Sequence, residues 1–183
     1  MRTLDYKKEY QKLLSPEIVV VRQPFLVPVE NPVLALMAII KTVNYKKAAV
    51  RDSTLGLALC TEMTYIRIGA QQILMLPGEA APEFAFGPYS PAETSATGLG
   101  PEVNAKTLSA VASDDNLIVF GLANDMVGYM VPPNDFILNE YGPYLDTAND
   151  RFGNRHYHET NSLSPKMTQV VSDTFASVME HVS

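Results

Sequence analysis

The chain has one cysteine, Cys60, so it can form neither an internal disulfide nor a cysteine-based zinc site. Cys60 sits inside an apolar run, the usual setting of a small buried hydrophobe. Positive charge is scarce too. Fourteen lysines and arginines against 20 aspartates and glutamates leave a net charge of −6, with a pI near 5.0. That balance argues against nucleic acid or an anionic membrane as the main partner. Long apolar runs are missing: Val33 to Ile40 falls far short of the roughly 20 residues that span a bilayer. The opening segment, MRTLDYKKEYQKLL, scatters charge through the place where a signal peptide carries its apolar core, so export is not expected to be encoded in the chain as given. None of these absences assigns a compartment.

What remains is the composition of a folded domain. With 183 residues, 46% hydrophobic and 19% charged, the chain can bury a sizeable core as one domain, 1–183, and is too apolar for disorder. Residues 3 to 14 set Leu4, Tyr6, Tyr10, Leu13 and Leu14 among charges and predict a helix stopped by Ser15-Pro16. Ile18 to Val21 and Phe25 to Val29 are strand-like but carry Pro24 and Pro28, which predicts an edge or irregular strand. Asn31 followed by Pro32 is a helix start, and the run from Val33 predicts a buried helix to about Val43.

From Leu55 to Ile68 the period changes to two. Leu57, Leu59, Thr61, Met63, Tyr65 and Arg67 share one face of a strand. Gly69-Ala70 then links tightly to a second strand, Gln72 to Leu76, predicting a hairpin. Pro82 to Ala85 predicts one helical turn, Lys106 to Ala112 a helix, and Asn134 to Leu138 a short helix. Between these, residues 87 to 104 form a Gly/Pro-rich loop, of a length that is usually functional or mobile. Ser164-Pro165 opens a final helix with Met167, Val170, Val171, Phe175, Val178 and Val182 in one stripe. The expected fold is α/β in mixed α+β layers: a central mixed sheet from 18–29, 55–68, 72–76 and 117–123 with flanking helices, part of a larger layered domain.

Two apolar runs end alike. ILMLPGE delivers Glu79, and NLIVFGLANDMVGY delivers Asn124, Asp125 and Tyr129. Short uncharged runs of this kind are expected to be strands buried on both faces, and polar groups just past them sit on a sheet rim, where loops build sites on rigid support. Either residue could instead simply satisfy loop backbone.

PGE after an apolar strand, GLANDMVGY after a second, and HYHETNSLSP before a last helix resemble, in that order, the C-terminal part of the catalytic domain of neutral/alkaline non-lysosomal ceramidases and their bacterial homologues. The resemblance covers roughly residues 55 to 183. It implies that Glu79 and Tyr129 are zinc ligands and that Tyr157, Asn161, Ser162, Leu163 and Pro165 belong to the third segment. It further implies a Zn2+-dependent amidohydrolase that releases a fatty acid from an N-acyl lipid or other amide, with no catalytic residue assigned. The chain departs from the pattern at Met126, His158 and Ala80-Ala81-Pro82-Glu83, which puts ceramide itself in question as substrate. The family's two histidine ligands precede the glutamate, whereas the three histidines here, His156, His158 and His181, all follow it. A catalytic zinc takes three protein ligands and an open position, so the resemblance implies a half-site, completed by a missing N-terminal half or by a homo-oligomer.

Other readings stand beside this one. On a strand His156 and His158 would point to one face and could join Glu79 and Tyr129 on a metal, or could hydrogen-bond locally. Asn124-Asp125 could hold a hard cation or serve as turn chemistry. Glu83 could pair with Glu79 in acid–base work or favour the start of a helical turn. The whole chain could also be a binding or interaction domain that uses residues 87 to 104. A severed half-domain is expected to leave an apolar face uncovered, which a self-sufficient domain is not.

Overall fold

The computed structural model describes residues 17–39 and 49–182. The expected helix at 3 to 14 and the expected end of the next helix lie outside them. The fold is α/β, built on a five-stranded mixed sheet. Strands β1 (Ile18–Pro28), β3 (Gly56–Ile68), β4 (Gln71–Met75) and β6 (Ile118–Phe120) lie side by side in that order. A short β2 (Ala49–Asp52), absent from the sequence expectation, pairs with the start of β3. All these pairings are antiparallel except β4–β6, which is parallel.

The period-two pattern of β3 is the organising fact. Leu59, Met63 and Tyr65 are buried on the predicted face with Thr61. Their neighbours across the sheet, Val27 and Leu74, complete that face. Helix α4 (Met167–Val182) lays Met167, Val171, Phe175 and Val178 onto it, with the Phe175 ring 5.9 Å from that of Tyr65. Helices α2 (Pro82–Phe86) and α3 (Leu108–Ala112) close the same layer through Phe84, Leu108 and Ala112. Thr107 caps α3 by accepting from the Ala110 amide.

β1 is the expected edge strand, yet it pairs with β3 over its whole length, prolines included, because an edge position leaves one side of its backbone without a ladder to feed. Two expectations need correction. The run Leu117 to Leu122 is not a strand buried on both faces: only Ile118–Phe120 is strand, at the sheet edge, with Ile118, Phe120 and Leu122 exposed. Residues 134 to 138 form no helix; a single 3-10 turn covers Pro133–Asp135.

Helix α1 (Pro32–Ile39) begins as predicted, but it is not the buried helix expected: Leu36 and Met37 are exposed and Val33, Leu34 and Ala35 only half-buried. Asn31 is fully buried, and its Oδ1 accepts from the Val33 and Leu34 amides while its Nδ2 donates to the carbonyls of Thr160 and Ser162. One side chain thus caps a helix and ties it to the segment before α4. Asn31→Ala strands four partners in a dry site, so a loss of about 3 kcal/mol is expected from chemical denaturation. An unchanged midpoint would show that water replaces the amide there.

Candidate metal half-site

Past β4 and β6 the chain makes two loops that zip together. The Leu76 amide donates to Phe120, Ala123 to Leu76, Leu122 to Gly78, and Val127 to Pro77. The zipper ends in a two-stranded parallel ribbon, β5 (Glu79–Ala80) with β7 (Tyr129–Met130), in which Glu79 and Tyr129 are direct register partners. Residues 50 positions apart in sequence are therefore neighbours on one rim. Close approach requires the glycines. A Cβ on Gly78 would run into the Gly128 carbonyl, and one on Gly128, at φ +93°, into the Asn161 carbonyl. The third segment is anchored here as well, because Ser162 Oγ donates to the Tyr129 carbonyl at 2.8 Å.

Glu79 is exposed, and its carboxylate makes no hydrogen bond or ion pair with another described residue. Tyr129 is half-buried in an aromatic group: the His158 ring meets it edge-on at 4.8 Å, the Tyr157 ring at 6.0 Å, and His158 stacks on Tyr157 at 4.1 Å. The phenol of Tyr129 is held above its ordinary value, first by its hydrogen bond with Tyr157 and then by burial and the nearby Glu79 carboxylate. The metal-free phenol is accordingly neutral at neutral pH.

The pair forms a wall shared by two clefts. The smaller, about 260 Å³, adds Glu83, Asp135, His156 and His158 to a lining that is otherwise mainly apolar. The larger, about 720 Å³, adds Leu34, Met37, Leu122, Met126 and Val127 and is mainly apolar. No family model, curated protein or solved structure matches the chain.

For the histidines the structure decides against a shared strand face. Strand β9 is only Arg155–His156, antiparallel to β8 (Ala148–Asn149), and Tyr157 already has helical backbone angles before a 3-10 turn over His158–Asn161. The alternation that would put both rings on one strand face is therefore broken, although both line the small cleft. His156 is engaged locally: Nδ1 lies 3.1 Å from Glu159 Oε1 and Nε2 3.6 Å from Asp150 Oδ2. His181 lies near the far end of α4, with Nδ1 2.6 Å from the Ser177 carbonyl.

Asn124 and Asp125 face the sheet. Asn124 Nδ2 donates to Thr64 Oγ1 and Thr61 Oγ1 donates to Asp125 Oδ2 at 2.7 Å, while Asn124 takes φ +74° as a turn residue. Glu83 lies in the first turn of α2. The 87–104 loop is closed on the cleft's outer wall, where Asn134 Nδ2 donates to Ser90 and the Ala96 amide donates to Asp135.

Among the described residues no group of three or more histidine, cysteine, aspartate or glutamate side chains is placed to hold a metal ion. Glu79 and Tyr129 nevertheless offer two adjacent oxygen donors at a cleft, which fits part of a catalytic set. Tyr157, named with the third segment by the resemblance, stands with His158 against the Tyr129 ring.

Proposed function

We propose that this chain is the C-terminal portion of a zinc-dependent amidohydrolase resembling neutral ceramidase, hydrolysing an N-acyl amide with release of a fatty acid and inactive alone. One observation carries the reading: the two residues that motif order assigns to one zinc are register partners on a rim that all three motif segments build. The adjoining apolar cleft supports an acyl substrate, since Leu34, Met37, Leu122 and Met126 offer an alkyl chain a lining that ends at Glu79 and Tyr129. Exposed Leu122 and Met126 beside the pair also agree with a half-domain that awaits cover.

Glu79 would supply an anionic oxygen and Tyr129 a phenolate to the metal. When bound, zinc brings the pKa of its water from 15.7 to about 7 and polarises the amide carbonyl. Tyr157, whose ring lies edge-on to Tyr129 with centroids 6.0 Å apart, would place a phenol beside the pair, suited to charge developing on an oxygen there. The buried Glu159 holds His156, and both His156 and His158 line the smaller cleft.

A pH series on zinc binding tests the role of Tyr129. The raised phenol must lose a proton to bind as phenolate, so affinity rises with pH, by at most about tenfold per unit. Tyr129→Phe is expected to flatten that slope between about pH 6 and 8. An equal slope in the variant would remove Tyr129 from the ligand set.

A further inference from the structure

Glu79 and Tyr129 line both clefts. An amide bond held at that pair sends its two halves in opposite directions, and the larger, mainly apolar cleft suits the acyl chain. The smaller cleft is left for the amine half. At about 260 Å³ it lies just below the usual range of drug-sized ligand pockets, which suits a short group rather than a second long chain. Ala80, Ala81, Met130 and Val131 supply surface for methylenes, and the Tyr129 ring adds an aromatic wall of the kind that attracts ammonium groups. The charged lining is one-sided: Glu79, Glu83 and Asp135 bring three carboxylates, and among the described residues no lysine or arginine joins them. A further carboxylate stands behind the wall. Glu159 is 2% exposed, and its Oε1 lies 3.1 Å from Nδ1 of cleft-lining His156, while its Oε2 is buried with no partner among the described residues. A buried carboxylate oxygen without a partner is costly unless positive charge stands near it.

We propose that the smaller cleft holds a cationic amine group, and that the substrate is accordingly an N-acyl diamine or polyamine whose second nitrogen is an ammonium. The inference rests on the amidohydrolase reading for the place of the scissile amide, while the cation site itself is independent of zinc. Hydrolysis adds one water across the C–N bond. The acyl carbon keeps the oxygen as a carboxylate, and the nitrogen takes both protons and leaves as a second ammonium among the same carboxylates. The amine half of ceramide carries no charge until that bond breaks, so it matches this lining less well.

Titration of linear diaminobutane into the metal-free full chain, with chelator present and pH held constant, tests it by NMR. The chain has three histidines. The imidazole proton resonances of His156 and His158, which line the cleft, are expected to shift to saturation, and that of His181 near the far end of α4 to stay in place. Butanediol, of similar shape without charge, is expected to bind at least about tenfold more weakly than the diamine. The same loss of at least about tenfold is expected for the diamine in the Glu83→Gln, Asp135→Asn variant, which removes two charges and keeps an oxygen for the Ala96 amide. Equal affinity for diamine and diol, equal affinity of the native chain and the double variant, or equal shifts at all three histidines would each overturn the proposal. Zinc binding through Glu79 and Tyr129 without any diamine binding would overturn it and leave the hydrolase reading intact. Diamine binding in a chain whose zinc survives Glu79→Ala with Tyr129→Phe would instead remove the ligand assignment and uphold the cation site.

Discussion

Gly128→Ala is expected to remove on the order of 4 kcal/mol of stability and to dismantle the proposed metal half-site. Two costs add at this position. The residue sits at φ +93°, where an L side chain is strained by about 1–2 kcal/mol. The new methyl would also point into the Asn161 carbonyl, with the Asn161 carbonyl carbon at 3.0 Å and Ser162 Cα at 3.7 Å. Those are backbone atoms held by Asn31 and by the Ser162–Tyr129 hydrogen bond, so they cannot swing aside as a side-chain tip would. Domains of this size hold only about 5–15 kcal/mol in total. Gly153→Ala provides the control, because Gly153 has φ +84° and nothing within 4 Å of its Cβ position. It is expected to cost about 1 kcal/mol, the conformational part alone. Denaturant midpoints of the two variants separate clash from strain. Equal losses would mean that the 161–162 segment yields to the methyl.

The same contacts explain which parts of the molecule were legible in the sequence. Strand β3 was, because one face buries Leu59, Met63 and Tyr65 and the alternation is therefore written into the residues. The Gly69-Ala70 hairpin, the Asn31 cap and the stripe of α4 were legible for the same reason: each follows from local chemistry or a repeated period. The run from Leu117 to Leu122 misled because uniform apolarity reports a wish for burial, whereas Ile118 and Phe120 show that a covering layer is a separate matter. Ribbon β5–β7 could not be read at all from periodicity, since two residues per strand carry none. That ribbon is nonetheless what joins Glu79 to Tyr129. The pair was picked out by motif order and by position past two apolar runs, and its contact comes from Gly78, Gly128 and Ser162, whose roles appear only when three distant segments meet. Of the two readings of the histidines, local hydrogen bonding holds for His156 through Glu159, and the shared strand face does not form because Tyr157 leaves the strand geometry that the i, i+2 argument assumes.

The second large effect concerns the metal itself. A complete structural zinc set binds with about 10–16 kcal/mol near neutral pH, and two oxygen donors without imidazole partners are expected to hold zinc far more weakly. In the proposed site Glu79 would supply a carboxylate oxygen, while Tyr129 would first have to give up a proton held by its surroundings. Losing even a supporting partner of a metal ligand typically costs 10–100-fold in affinity, so Glu79→Ala is expected to lower zinc affinity by about 100-fold or more. Because the Glu79 side chain bonds to no other described residue, the fold should survive the change. Calorimetric titration of zinc into the full chain and into the Glu79→Ala, Tyr129→Phe double variant is the most direct test. The account predicts weak binding by the native chain that disappears in the double variant. Tight binding that survives both substitutions would contradict it, and would place the metal on other ligands.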